Sequence, residues 1–345
     1  MISYFLIKIL NKLNNRNMQK KIKILLLSIS LIFSSSYIAN AQNFLQDNIN
    51  HTLNKLGATL SLALPGTGDT EVTTHSQNNY DLRYSILAVR SLSLNPYSEL
   101  SNKHLYFSQF RIANHEPYSN GDQRMLFNAG LGFRTLVHNN NATLGVNLIY
   151  DHEFEQTHQR ASLGLEYLTS TFEVYANKYQ RVGDTSNYGA IRESVLNGYD
   201  INLVGQLPYM PWGKVVYNNY SFPGTSSDTK GERLSLEAQV LRHMIFEIGQ
   251  STPDIGSTED FWKLKFRWPA NQFKQTILSH TVTEHMFPEK NMSSKMLSKV
   301  RRTNEIVSEK STIESSEERV EIKMPVGGGG FAPGGGGFAP VLLIR

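Results

Sequence analysis

Arg160-Ala161-Ser162-Leu163-Gly164-Leu165-Glu166-Tyr167 is the stretch on which the fold turns. Ala161, Leu163, Leu165 and Tyr167 recur at every second position, and Arg160, Ser162, Gly164 and Glu166 fill the gaps. Successive side chains of a strand point to opposite faces, so this period marks a β-strand with one apolar and one polar face. The pattern recurs along the chain. Met125, Phe127, Ala129, Leu131 and Phe133 alternate with a face carrying Arg124, Asn128 and Arg134. Leu234, Leu236, Ala238 and Val240 alternate with Arg233, Ser235, Glu237 and Gln239. Trp262, Leu264, Phe266 and Trp268 alternate with Lys263, Lys265 and Arg267. Such alternation suits either a half-buried soluble sheet or a transmembrane barrel.

Three features favour the barrel. The first is an export leader. Met18-Gln19-Lys20-Lys21-Ile22-Lys23 is basic, Ile24 to Phe33 is apolar, and Ala39-Asn40-Ala41 has the small-x-small form of a signal-peptidase site. Cleavage after Ala41 starts the mature chain at Gln42; an uncleaved amphipathic anchor is the alternative, and Met18 rather than Met1 reads as the initiator. The apolar core falls short of the roughly 20 residues a spanning helix needs. Second, the polar face of the strands carries charge or glycine, which suits a water-filled or plugged lumen. Third, Tyr84, Tyr106, Tyr150, Phe154, Tyr167, Tyr179, Tyr199, Tyr217, Tyr220, Trp262 and Trp268 are expected at strand ends, where interfacial girdles would lie. Lipid excludes open sheet edges, so the sheet must close.

Charge and composition remove other classes. The chain has 34 Lys+Arg against 30 Asp+Glu, but Lys8, Lys12, Arg16, Lys20, Lys21 and Lys23 all lie in the leader, which has no acid. Without them 28 basic face 30 acidic side chains, and a nucleic-acid-binding surface loses its support. Absence of cysteine excludes disulfide scaffolds, thiolate metal sites and cysteine nucleophiles. Turn residues such as Asn120-Gly121, Asn139-Asn140-Asn141, Pro208 and Pro223-Gly224 divide residues 58–268 into twelve strands. These are expected near 58–64, 81–90, 103–112, 123–135, 142–152, 159–168, 171–181, 196–206, 212–221, 232–240, 243–250 and 259–268. Phe44 to Leu56 has helical spacing and ends at Gly57.

Longer quotation brings out a family. Leu144-Gly145-Val146-Asn147-Leu148-Ile149-Tyr150-Asp151-His152-Glu153-Phe154, followed by His158 to Tyr167, resembles the translocator barrel of inverse autotransporters, the intimin and invasin family. So do Asn197-Gly198-Tyr199-Asp200 with Leu207-Pro208, Pro211-Trp212-Gly213-Lys214, Leu105 to Gln109 and Asn128 to Arg134. Met296 to Glu309, with Arg301-Arg302 and Asn304-Glu305-Ile306-Val307, resembles the linker that follows such a barrel. The resemblance spans about residues 43–309. It implies a twelve-stranded barrel in the outer membrane of a Gram-negative bacterium, with a periplasmic N-terminus. In that family the segment after the barrel crosses the lumen and carries a surface passenger. Two departures stand out: the N-terminal segment is too short for the peptidoglycan-binding module of some relatives, and the Ig-like adhesive repeats are missing. Host-cell adhesion is therefore not carried over.

Catalysis finds little footing. His152-Glu153 with His158 has a spacing of i and i+6 across a turn, unlike the i and i+4 of a helical zinc site. Asp151 and His152 are adjacent on a strand and face opposite ways. A serine hydrolase would need His152 and Ser162 brought together with an acid, and nothing marks Ser162 as activated. Asp151, Arg160, Glu166, Asp200, Lys263, Lys265 and Arg267 read instead as a lumen polar network, since a charge withdrawn from water needs partners.

The expected architecture is all-β: a leader extension (1–17), signal peptide (18–41, cleaved beside Ala39 and Ala41), short periplasmic helix (42–57) and barrel (58–268). A lumen-crossing linker (269–323) and a Gly-rich flexible tail (324–345) complete it. Function is expected to be anchoring and export of the chain's own C-terminal segment, with reduced or no adhesive passenger. The rivals are a small outer-membrane pore with a vestigial tail and, behind it, an outer-membrane hydrolase. No catalytic residue, cofactor or metal is expected. Expected partners are outer-membrane lipid, the barrel-assembly machinery with periplasmic chaperones, and a second copy in a homo-oligomer.

Overall fold

The computed structural model describes residues 66–77, 82–92, 103–115, 124–154, 158–183, 185–188, 191–225, 227–268, 282–288 and 291–312. The leader with Ala39 and Ala41, the Phe44 to Leu56 helix and the Gly-rich tail lie outside these residues. Twelve antiparallel strands close on themselves: β1 (Thr70–Gln77), β2 (Arg83–Ser91), β3 (His104–His115), β4 (Arg124–Val137), β5 (Ala142–Glu153), β6 (Gln159–Thr169) and β7 (Phe172–Val182). After an excursion of two short strands, β8 (Ser186–Tyr188) and β9 (Ile191–Val195), the wall resumes. It continues with β10 (Gly198–Leu207), β11 (Met210–Phe222), β12 (Thr229–Leu241), β13 (Met244–Pro253) and β14 (Glu259–Trp268), which pairs back onto β1.

Period two becomes two surfaces. Leu148 pairs across to Leu163 and Val146 to Leu165, and all four are exposed on the outside. Between them Asn147 faces Gly164 and Asp151 faces Arg160 in the interior. Leu163 and Leu165 keep 52% and 59% of their surface exposed, whereas Glu166 keeps 4%. Such a band of leucines is untenable against water and natural against hydrocarbon. A Cβ at Gly164 would lie 2.6 Å from the amides of Asn147 and Asn177, so only glycine lets those inward amides approach the wall.

The first strand differs from expectation. It is Thr70–Gln77, not the 58–64 stretch, which lies outside the described residues. Its outward positions are Thr70, Val72, Thr74 and Ser76, opposite Trp268, Phe266, Leu264 and Trp262 of β14. Large neighbours cover the small outward residues, so β1 shows no apolar alternation of its own.

The two ends of the barrel are unlike. At one end His138 to Asn141, Ser170-Thr171, Pro208-Tyr209 and Arg242-His243 make short turns, alongside one longer connection, residues 92–103 between β2 and β3. His138, Asn139 and Asn140 take φ of 51°, 52° and 67°, a left-handed region that asparagine tolerates better than most residues. The opposite end carries longer loops, the longest holding β8 and β9. There β15 (Ser308–Thr312) pairs with β9 in a separate three-stranded sheet that the period-two reading did not include.

The interior holds a core. Leu105, Phe107, Leu136, Leu168, Tyr175 and Val204 from the wall pack with Met292, Met296 and Val300 from beyond the last strand.

Candidate functional site

Residues 291–307 occupy the barrel interior before the chain leaves it as β15, and the wall is built to receive them. A thread inside a barrel has no ladder partner, yet its N–H and C=O groups must be satisfied away from water. Inward-facing side chains do this at each level.

At the short-turn end Met292 N donates to Asn140 O at 2.8 Å, and Met292–Lys295 form a single 3-10 turn capped by Asn291. Next, Arg134 donates from Nη1 to the carbonyls of Met296 (2.7 Å) and Ser298 (2.6 Å). Its other nitrogens hold Glu166 at 2.9 and 2.7 Å, and Asn147 donates to the second oxygen of that carboxylate at 2.8 Å. Lys299 pairs with Glu71, and Val300 N donates to Gln109 Oε1 at 2.8 Å.

The middle is ionic. Arg301 reaches Glu237 at 3.1 Å and Glu173 at 3.5 Å. Arg302 makes a two-pronged bond to Asp151, Nη1 to Oδ1 at 2.7 Å and Nη2 to Oδ2 at 2.6 Å, with both side chains fully buried. Arg160 also donates to Asp151 (2.8 Å), lies over the Tyr179 ring at 4.3 Å, and donates to Thr303 O at 2.8 Å. Thr303 N donates to Asp200 Oδ2 at 2.6 Å and Tyr179 Oη at 2.9 Å. Asn177 bonds both Asp200 and the carbonyl of Arg301, and Asn128 both Asp151 and the carbonyl of Asn304.

Towards the long-loop end the thread turns apolar again. Ile306 packs with Leu126 and Val195, and Val307 packs against the cluster of Tyr179, Leu196, Tyr220 and Phe222. Leu196 N donates to Val307 O at 2.9 Å, and β15 then pairs with β9.

The residues assigned to the lumen from sequence fall into two groups. Asp151, Arg160, Glu166 and Asp200 sit on the β5, β6 and β10 side and bind the thread directly or through Arg134. Lys263, Lys265 and Arg267 line the opposite wall: Lys265 lies 2.9 Å from Glu237, Lys263 3.6 Å from Glu247, and Arg267 3.7 Å from Glu71. The sequence reading did not single out Glu71, Glu173, Glu237, Glu247 or Arg134 as partners, although parity placed Glu237 and Arg134 on polar faces. Arg301 and Arg302 were visible as a pair, but no local pattern names the carboxylates they meet.

The hydrolytic candidates are separated. His152 stacks among Tyr150 and Phe154 on the outer face, whereas Ser162 is buried inside with Oγ 3.4 Å from Ile149 O. His158 faces Glu153 at 2.7 Å, and Glu153 is also held by Arg124, which reaches Glu193 of β9. Among the described residues no group of three His, Asp or Glu is arranged to hold a metal.

Known proteins can now be set beside this geometry. The profile of the inverse autotransporter β-domain matches residues 27–304. The inverse autotransporter adhesin YeeJ of Escherichia coli (strain K12) is 25% identical over 199 residues, covering 54% of this chain and 8% of that protein. An attaching and effacing protein homolog of the same organism is 32% identical over 107 residues, covering 29% of this chain and 35% of that one. This chain thus spans well under half the length of either relative. A solved chain from a study of in-meso crystallization of membrane proteins superposes with a TM-score of 0.57 at 22% identity. It covers 71% of this chain and 99% of its own, a likeness of fold. With a closed twelve-stranded barrel and a profile match across most of its length, the chain belongs to the inverse autotransporter β-domain family of outer-membrane barrels.

Proposed function

We propose that this barrel anchors and exports its own C-terminal segment, with its short-turn end in the periplasm and its long-loop end at the cell surface. Outer-membrane barrels keep short turns on the periplasmic side and longer loops outside, which supports that orientation. The observation that carries the proposal is the thread itself. Residues 291–312 run one way, from Asn140 at the short-turn end to β9 at the long-loop end, and wall side chains meet their backbone at successive levels. A segment so placed delivers whatever follows residue 312 to the exterior. The wall's contacts hold the thread after transit and leave the barrel as a plug-filled anchor.

The pore rival predicts conductance from the intact protein; a lumen packed with Met292, Met296 and Val300 predicts conductance only after residues 285–345 are deleted. Export is tested by an epitope inserted after Lys323. Antibody labelling of intact cells supports the proposal. Labelling only after the outer membrane is permeabilised overturns it.

A further inference from the structure

Between β14 and the thread, residues 282–288 touch the barrel at the β10–β11 turn. Tyr209 N donates to Met286 O at 2.9 Å, and Thr283 N donates to Tyr209 O at 3.0 Å. Thr283 also donates from Oγ1 to His285 O at 2.8 Å, which closes the segment into a bend. Tyr209 takes a φ of 63°, a left-handed conformation that a bulky side chain adopts only where its surroundings hold it. Both of its backbone groups are bound to the 283–286 bend.

The bend presents apolar side chains. Val282, Met286 and Phe287 are exposed, as is Tyr209 beside them, while Glu284 and His285 supply the exposed polar groups. A single exposed apolar residue means little, but four gathered about one turn make a patch. Its position identifies what it meets. Tyr106, Phe133, Tyr167 and Phe172 stand on the outer wall within a few residues of this end of their strands. Their rings pair, Tyr106 with Phe133 at 5.0 Å and Tyr167 with Phe172 at 5.7 Å. Such aromatics gather where hydrocarbon gives way to headgroups. Phe172 pairs across to Gly205 of β10, the strand that runs into the Tyr209 turn. The patch therefore continues the lipid-facing wall at the edge of the bilayer. A stable protein partner would cover about 800 Å² of this side, more than these four side chains offer.

We propose that Val282, Met286 and Phe287 insert into the interfacial zone of the lipid leaflet at the short-turn end and moor the segment ahead of the thread to the membrane surface. Tyr209 fixes the bend at that height. Glu284 and His285 stay on the aqueous side, and the chain then enters the lumen at Met292. The partner is phospholipid.

The chain has no native cysteine, so a fluorophore can be placed at single sites. Full-length Phe287→Cys, Glu284→Cys and Lys310→Cys, each labelled with an environment-sensitive nitrobenzoxadiazole dye, are folded into phosphatidylcholine vesicles. Part of the lipid carries a nitroxide near the top of the acyl chain, and heat-dependent gel mobility checks that each barrel is closed. An interfacial segment buries its apolar side in the headgroup–acyl boundary, so lipid quenching at Phe287 should exceed that at Lys310 by about threefold or more, with Glu284 between them. Iodide in the water should rank the three sites in the reverse order. The nitroxide is present in both leaflets, so the outcome does not depend on which end of the barrel faces the periplasm. Lipid quenching at Phe287 no stronger than at Lys310, or no stronger than at Glu284, overturns the proposal. So does iodide quenching at Phe287 equal to that at Lys310.

Discussion

Between Met292 and Val300 the thread presents three buried apolar side chains to Leu105, Leu136 and Leu168; between Arg301 and Asn304 it presents two arginines to Asp151, Glu173 and Glu237. Both stretches lie in the same barrel, yet they do different work. Apolar contact is non-directional, so the lower stretch stabilises the seated thread without specifying one position sharply. The arginines are directional. Slipping an extended chain by one residue turns its side chains to the opposite face, which would carry Arg302 away from Asp151 and strand both charges. A buried ion pair adds little net stability but makes the wrong arrangement costly. The lower stretch therefore supplies affinity and a seal, and the ionic stretch supplies register.

The largest expected effect follows from that division. Asp151→Ala leaves Arg302 and Arg160 buried without their carboxylate and should cost about 3–5 kcal/mol. Protease sensitivity of the thread and the denaturant midpoint of the barrel report it. Met296→Ala should cost about 2–4 kcal/mol by leaving a cavity in the lower core. An Asp151→Ala effect no greater than that of Met296→Ala would break the comparison.

Conservative changes sharpen it. Met296→Leu keeps volume and should cost under about 1.5 kcal/mol. Arg302→Lys keeps charge but cannot make the two-pronged bond, and it should cost about 1–3 kcal/mol by leaving Asp151 under-bonded. Denaturant midpoints of the two variants, measured side by side, check that order. The smallest effect belongs outside the lumen. Lys230 stands 3.8 Å from Asp228 and 3.5 Å from Asp254, with all three half exposed. Lys230→Ala should shift stability by no more than about 0.5 kcal/mol, as exposed pairs do.

What the sequence reveals of this arrangement follows the same divide. Alternation is local, so parity alone sends Leu163 outward and Glu166 inward, and most strands announce themselves by it. β1 does not, because its outward threonines and serine rely on Trp262, Phe266 and Trp268 of the strand closing onto it. β8, β9 and β15 are too short for a period to register, and β15 meets β9 from more than a hundred residues away. The interior shows the same limit. Parity places Asp151 inside, but its partner Arg302 lies beyond seven further wall strands, and only closure of the barrel brings them together. Glu166 is likewise legible as an inward acid, whereas Arg134 acting at once on Glu166 and on the thread's carbonyls is not.

The absence of native cysteine makes the decisive measurement clean. Glu284→Cys sits beside the Tyr209 turn at the short-turn end, and Lys310→Cys sits in β15 at the long-loop end; both positions are exposed. A membrane-impermeant thiol reagent should label Lys310→Cys on intact cells and Glu284→Cys only after the outer membrane is opened. Labelling of both on intact cells, of neither, or in the reverse order would contradict a thread that passes through the barrel to the surface.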